Sequence, residues 1–257
     1  MVATEQQSLS RSALLRRLFQ GLDDQDIRYC VLHSYESLPD ELPSDLDLAL
    51  HPDDFPKLPL VIRALRETGY IPVQCLNYGV KGHCFVFFWS EGMTFKSLAV
   101  DTICQYREGG LILMSGAELV TGRRKLREFW VPRPEMEFVY LLASKTLKRR
   151  VSALQAKRLQ QLAAELGRPR AECVTASLFG ESSKERIVDA CVAGIGPGVL
   201  KEVRLHIWRA VLSRDPFNPV RYCLSDLPRR FRRWFQPTGL FLVVLGPDGV
   251  GKGSASR

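Results

Sequence analysis

The order of apolar and polar residues predicts alternating helices and strands in the first part of the chain. Residues 8–19 repeat leucine and phenylalanine every three or four positions, which predicts an amphipathic helix. The apolar stretches at residues 28–33 and 45–50 are typical of strands. A further helix is predicted from about residue 60 to the glycine at position 69, because prolines precede it and glycine commonly ends helices.

Three more strands and then a run of helices are predicted beyond this point. Residues 70–76, 83–89 and 95–104 are apolar segments separated by turn-like sequences, and we expect a meander. From Pro134 onward the spacing of apolar residues becomes helical. The predicted helices cover residues 135–150, 152–166, 170–179, 183–193 and 198–213.

These patterns divide the chain into four segments. Residues 1–130 form an α+β unit, and residues 131–214 form a helical domain. Residues 215–238 are rich in proline, arginine and aromatic side chains, and we interpret them as a basic linker. Residues 239–257 contain an apolar strand followed at once by a glycine-rich turn.

Composition narrows the class of protein. With 257 residues, of which 46% are apolar, the chain is long enough to form a substantial core. The net charge of +8 favours anionic partners such as nucleotides, nucleic acid or lipid headgroups, without choosing among them. The basic aromatic stretch PRRFRRWF at residues 228–235 is compatible with nucleic acid or an anionic membrane, but no nucleic-acid module accompanies it. We therefore expect no specific nucleic-acid partner.

The cysteines and the N-terminus predict a cytoplasmic protein. Seven cysteines are scattered without a CxxC pair, as expected of reduced thiols. The N-terminus is polar and does not resemble a secretory signal. No apolar run approaches the roughly 20 residues that a membrane span needs, so we expect no transmembrane segment.

Three aspartates stand out as candidate metal ligands. Asp45 and Asp47 are two positions apart on a predicted strand, so their carboxylates project from the same face. Asp101 lies in a later strand made otherwise of apolar and small residues. Neighbouring carboxylates repel unless water or a divalent cation lies between them, and Mg²⁺ prefers such hard oxygen ligands. A solvated strand end remains the structural alternative for the pair.

The stretches SDLDLAL and AVDTICQY resemble the nucleotidyltransferase superfamily with the DNA polymerase beta type fold, over about residues 8–130. The resemblance implies a mixed sheet with flanking helices and a following helical domain. It also implies Mg²⁺ held by Asp45 and Asp47, with Asp101 as third ligand or base. The expected substrates are a nucleoside triphosphate and a hydroxyl-bearing acceptor. The spacing from Ser34 to Asp45 is similar to that of a branch found ahead of thymidylate kinase-like domains, in bacterial settings that suggest surface polysaccharide production.

One departure from the family pattern leaves a second hypothesis open. The family usually has Gly-Ser or Gly-Gly before the aspartate pair, where the backbone approaches the triphosphate, and this chain has His33-Ser34. Ser34 is still a candidate phosphate contact, whereas histidine in place of glycine narrows the approach. The alternative is therefore a catalytically degenerate module that docks or regulates a P-loop kinase.

The stretch GPDGVGKGS predicts an ATP-binding P-loop of the thymidylate kinase-like type. Gly246, Gly249 and Gly251 allow the backbone to wrap an anion, Lys252 supplies a charge, and Ser254 is the candidate Mg²⁺ contact. An extra glycine separates Lys252 from Ser254, as in adenylate kinases. Because a kinase needs more sheet, an acidic motif and a lid, we expect the front part of a longer two-enzyme protein. We expect the loop alone to bind nucleotide weakly and residues 239–257 to be cleaved early.

Overall fold

The structure is a computed structural model and describes residues 9–41, 45–79, 82–195 and 197–235. The helices of these residues are α1 (Arg11–Asp24), α2 (Leu58–Glu67), α3 (Gly116–Val120), α4 (Pro134–Lys148), α5 (Ala153–Leu166), α6 (Arg168–Phe179), α7 (Lys184–Ala193), α8 (Pro197–Arg214) and α9 (Asn218–Phe235). The strands are β1 (Tyr29–Val31), β2 (Leu46–Leu50), β3 (Ile71–Asn77), β4 (Gly82–Glu91), β5 (Thr94–Ile103), β6 (Gln105–Glu108), β7 (Leu111–Ser115), β8 (Arg124–Leu126) and β9 (Phe129–Val131).

A five-stranded mixed sheet lies at the centre of the first half, in the order β1-β2-β5-β4-β3. Strands β3, β4 and β5 form the predicted meander, in which both neighbouring pairs are antiparallel. Strand β2 runs antiparallel to β1 and parallel to β5. The parallel pair places strands that are far apart in sequence next to each other, and it determines where the candidate acids lie.

Each face of the sheet belongs to a different core. Leu46, Leu48 and Leu50 are buried in a cluster with apolar residues of α1 and α2. Ala49 points to the other face and belongs to a cluster built mainly from α4 and the helices that follow. Because successive strand residues alternate between faces, Asp47 lies on the same face as Ala49, toward the helical half.

The helical half surrounds α4, in which residues 137–147 are all buried. Helix α5 begins with a capping box, in which Ser152 accepts a hydrogen bond from the backbone of Gln155 and the Gln155 side chain bonds back to Ser152. The predicted α+β class, with a mixed sheet, flanking helices and a following helical unit, is confirmed. The hairpins β6–β7 and β8–β9 and the short helix α3 were not predicted.

Two local contacts hold the sheet to its surroundings. Asp54 accepts hydrogen bonds from the Arg28 backbone at 3.1 Å and the Arg28 side chain at 2.6 Å, and it pairs with Lys57 at 3.1 Å. At the start of α3, Gly116 approaches β2 so closely that an added Cβ would lie 1.9 Å from the Leu50 carbonyl oxygen. A side chain at this glycine would therefore force the backbone to move.

The segment interpreted as a basic linker forms helix α9 over most of its length. Its periodic apolar residues sustain a helix although Pro228 removes one backbone donor. Residues 239–257, which include the predicted P-loop, lie outside the described residues, so their expected strand and early cleavage stay predictions. Within the described ranges no helix is long and apolar enough to cross a membrane.

Candidate functional site

Asp47 and Asp101 lie side by side in the sheet. They are direct register partners on the parallel strands β2 and β5. Partners in register point to the same face, and neighbouring strands lie about 4.8 Å apart. Cys84 of β4 is the register partner of Asp101 on its other side. Two carboxylates and a thiol thus form a row across three strands on the face toward α4.

The environment of Asp101 disfavours its negative charge. Burial raises the pKa of Asp101, a hydrogen bond from the Cys84 thiol opposes this effect, and the charges of Asp47 and Asp45 raise the pKa further. One carboxylate oxygen, Oδ1, is buried and has no hydrogen-bond partner. Burial also raises the pKa of Cys84 to about 12, so this thiol is a neutral donor. A carboxylate with an unsatisfied buried oxygen costs stability and calls for a functional explanation.

Asp45 lies one residue before β2, where it is exposed to solvent. It is near enough to Asp101 for its charge to raise the pKa of that carboxyl group. The structure therefore brings all three predicted aspartates into one electrostatic group, with Asp47 and Asp101 adjacent and Asp45 at the rim.

Two lysines at the end of α4 face the acids. Burial lowers the pKa of Lys145, the charge of Lys148 lowers it further, and the charge of Asp47 opposes both effects. The charge of Lys148 favours the ionised form of Asp101. The acids therefore lie against a positively charged helix end, which is the arrangement that an anionic substrate and its counter-charges require.

His33 holds Asp47 from the loop after β1. Its Nε2 atom lies 2.9 Å from Asp47 Oδ2, and its Nδ1 atom lies 3.1 Å from the Ser34 hydroxyl oxygen. The His33 ring also stacks on Tyr140 of α4, with ring centroids 6.4 Å apart. Ser34 has a φ of 58°, in the left-handed region that costs a residue with a Cβ about 1–2 kcal/mol. Such strain is commonest where a loop is held for function.

A cleft of about 350 Å³ opens next to this loop, between it and helices α4 and α5. His33 and Ser34 line one side, and Lys157, Arg158 and Gln155 line the other. The cleft thus joins the predicted phosphate contact to a basic and amide-bearing helix face. Leucines and the acidic Glu36 and Glu137 complete the lining, and His33 connects the cleft to Asp47.

Glu137 joins the two sides of the cleft. It is buried, with 1% of its side chain exposed, and Arg158 donates two hydrogen bonds to it at 2.7 and 2.8 Å. Arg158 also donates to the Tyr35 hydroxyl at 2.7 Å, which fixes the loop between β1 and β2. This network was not predicted, because its members are 123 residues apart in the chain.

The carboxylate oxygens at this site are of the chemical type that binds a divalent cation. Asp101 Oδ1 is an unpartnered hard oxygen, and 31% of the Asp47 side chain remains exposed beside it. Among the described residues no group of three or more His, Cys, Asp or Glu side chains is arranged to hold a metal ion. Mg²⁺ coordination by Asp45, Asp47 and Asp101 therefore stays a prediction, and Asp47 is at present bonded to His33.

Gly246, Gly249, Gly251, Lys252 and Ser254 lie outside the described residues. Of the residues that were not predicted as site residues, His33 is the most important, since the sequence indicated only that it stands where glycine is usual. Its position in the turn that the family uses for the phosphate was the signal that pointed to it.

No protein-family model matches the chain, and no curated protein matches it significantly. Two solved structures are similar to it. JHP933 from Helicobacter pylori has 14% identity and a TM-score of 0.40, and the match covers 88% of this chain and 96% of that one. A provisionally assigned nucleotidyltransferase from H. pylori has 11% identity and a TM-score of 0.38, covering 79% of this chain and 96% of that one.

At these identities and TM-scores the two structures supply no evidence for activity. We therefore base the functional proposal on the residues of the site.

Proposed function

We propose that the chain is a Mg²⁺-dependent nucleotidyltransferase that uses a nucleoside triphosphate and a hydroxyl-bearing acceptor. The observation that carries the proposal is the direct pairing of Asp47 and Asp101 on parallel strands, with one Asp101 oxygen buried and unpartnered. An arrangement of like charges that weakens the fold is expected where a ligand compensates for it.

Each residue of the site has a distinct role in this proposal. Asp45, Asp47 and Asp101 hold Mg²⁺, which when bound neutralises the phosphates and activates the attacking hydroxyl. Lys145 and Lys148 add positive charge for the triphosphate from the end of α4. Ser34 contacts a phosphate.

His33 is a positioning residue. Its bond to Asp47 Oδ2 at 2.9 Å holds that carboxylate in one orientation.

The acceptor and the second nucleotide site extend the proposal. A sugar hydroxyl in bacterial surface polysaccharide production is the acceptor class that the sequence resemblance suggests. The glycine-rich turn with Gly246, Gly249, Gly251, Lys252 and Ser254 is proposed as a separate ATP-binding loop of a thymidylate kinase-like unit. We expect it to bind nucleotide less tightly than the acid site does.

One observation favours a second candidate function. His33 Nε2 already bonds to the Oδ2 atom of Asp47, so this oxygen is not free to bind a metal ion. A degenerate module that docks or regulates a P-loop kinase would need no metal there. His33→Gly distinguishes the two functions. In a catalytic site the loss of the bond that orients Asp47 lowers Mg²⁺-dependent nucleotide affinity, whereas a docking module shows no such binding at the acid site with or without His33.

The proposal is tested by calorimetric titration of ATP into the full chain with and without Mg²⁺. The variants Asp47→Asn and Lys252→Ala assign any binding to the acid site or to the glycine-rich loop. We expect Asp47→Asn to weaken Mg²⁺-dependent binding about tenfold or more, while Lys252→Ala has a smaller effect. If Lys252→Ala lost nucleotide binding while Asp47→Asn bound as tightly as the parent, the proposal for the acid site would be refuted.

A further inference from the structure

Helix α9 turns its polar side toward the body of the protein. Asn218 accepts a hydrogen bond from the Ile112 backbone at 2.9 Å and donates one to its carbonyl at 3.0 Å. About two helical turns further along, Ser225 accepts a hydrogen bond from Arg107, and Asp226 is buried. These contacts with β6 and β7 fix the rotation of α9 about its own axis.

The opposite side of α9 is apolar and faces away from the protein. We call it the outer stripe: Val220, Leu224, Leu227, Phe231 and Trp234, with Phe235 beside it at the end of the helix. Between 39% and 79% of the surface of each residue is exposed. They recur every three or four positions, so they form one continuous face about 21 Å long. Helices of globular proteins normally bury such a face, and here it is the hydrogen-bonded polar face that packs inward.

Positive charge accompanies the outer stripe. The sequence of α9 contains five arginines and one aspartate. The aspartate, Asp226, is buried and already bonded to Arg229 and Arg230, so no exposed acidic side chain belongs to the helix. At 100° per residue, Arg221 and Arg230 lie on opposite sides of the stripe, and 61% and 68% of their side chains are exposed. Arg221 pairs with Asp215, which lies just before the helix, and Arg230 pairs with Asp226, so exposed guanidinium groups that each have one acidic partner border the apolar face on both sides.

We propose that the outer stripe of α9 binds an anionic lipid membrane surface, with the helix lying in the plane of the interface. Apolar and aromatic side chains flanked by arginines match both the acyl region and the charged headgroups. A second copy of the chain fits less well, because two such helices would bring arginines together with no exposed acid on either one. Nucleic acid offers the charge but no surface for the apolar stripe. The proposal rests on the exposed face of α9 and does not depend on the proposed function.

The test measures co-sedimentation of the full chain with vesicles of phosphatidylcholine alone and of phosphatidylcholine mixed with phosphatidylglycerol. We expect binding to the anionic vesicles that decreases with salt, and little binding to the neutral ones. The double variant Phe231→Ser with Trp234→Ser should bind anionic vesicles at least about tenfold more weakly than the parent does. Phe95→Ser is the matched control, because Phe95 is 79% exposed on the far hairpin β4–β5 and should not matter.

Several results would overturn the proposal. Equal binding of the double variant and the parent, or absence of binding to anionic vesicles, would do so directly. A dimer of the parent that the double variant abolishes in sedimentation velocity would assign the stripe to a second copy. A double variant that unfolds at lower temperature than the parent without lipid would mean that protein already covers the stripe. Arg221→Gln with Arg230→Gln should weaken binding to anionic vesicles only.

Discussion

The substitution Asp101→Asn tests two properties of the acid site: the stability lost through repulsion between its carboxylates and the stability gained when Mg²⁺ binds. Neighbouring strands place Asp47 and Asp101 about 5 Å apart, and two unit charges at that distance repel by about 3 kcal/mol at an effective dielectric constant of 20 and about 0.8 kcal/mol in water. Because 31% of the Asp47 side chain is exposed, we expect a repulsion energy between these two values. Asparagine removes the repulsion and still accepts a bond from the Cys84 thiol.

We therefore expect Asp101→Asn to raise the free energy of unfolding by about 1–2 kcal/mol when Mg²⁺ is chelated. For a chain of this size that corresponds to a rise of about 2–8 °C in Tm. Mg²⁺ at a hundred times its Kd should stabilise the parent by about 2.7 kcal/mol and the variant far less. The order of stability of the two proteins should thus reverse when Mg²⁺ is added.

The measurement is thermal unfolding followed by circular dichroism, in EDTA and across a Mg²⁺ titration. Asp24→Asn is the control, because Asp24 is an exposed carboxylate whose oxygen accepts a hydrogen bond from a neighbouring glutamine and lies apart from the site. It should unfold like the parent in both conditions. An Asp101→Asn variant that is less stable than the parent in EDTA, or that gains as much from Mg²⁺ as the parent does, would refute the reasoning.

Three further predictions concern contacts that hold the fold. Asp54→Asn should lower stability by about 1–2 kcal/mol at pH 7 and progressively less below about pH 4, as measured by urea unfolding. The hydrogen bond from the Arg28 side chain lowers the pKa of Asp54 in the folded state, so the contribution of Asp54 is fully present above its unfolded pKa of about 4 and is lost as the pH falls through the folded pKa. Gly116→Ala should lower the free energy of unfolding by about 3 kcal/mol or more, as measured by thermal unfolding, because the new Cβ would overlap a carbonyl oxygen. The control Gly198→Ala should leave stability unchanged or raise it, because Gly198 lies in a helix with open space around it. Arg158→Met should cost about 3–5 kcal/mol in guanidinium unfolding, because the buried Glu137 would lose both hydrogen bonds from Arg158 and keep only a 3.6 Å ion pair with Arg124 and the Tyr35 hydroxyl. A loss below about 1 kcal/mol would contradict this.

The sequence by itself determined the elements whose periodicity is regular. Helices α4 to α8 lie within a few residues of their predicted bounds, as for α5, predicted over 152–166 and observed at Ala153–Leu166. The meander followed from apolar runs separated by turns. These features depend on interactions between residues close in sequence, such as helical spacing and capping, which a single sequence displays.

The short elements between residues 105 and 131 were missed for the opposite reason. Strands β8 and β9 have three residues each, too few for a period of two to be distinguished from an irregular segment. Their stability comes from packing, since β9 contacts β1, and Phe129 and Val131 are buried in the cluster that includes apolar residues of α1 and α2. Only the folded chain brings those partners together.

The candidate site required both levels. The spacing of Asp45 and Asp47 placed two acids on one strand face, but the distance from Asp47 to Asp101 depends on a parallel pairing across more than 50 residues. The bond from His33 to Asp47 likewise depends on how the loop after β1 folds back over β2. Local sequence does not encode such contacts, because they arise from the sheet order.

Helix α9 shows the same division between sequence and structure. The sequence carries apolar residues and arginines at helical spacing there, but we interpreted the segment as a linker and did not predict the helix. Only the tertiary structure decided which face turns inward. Asn218 found backbone partners on β7 and Asp226 became buried, so the polar face packs against the protein and the apolar stripe is left exposed. Hydrogen-bond partners for buried polar groups exist only once the sheet is formed, and they outweighed the burial of the apolar face here.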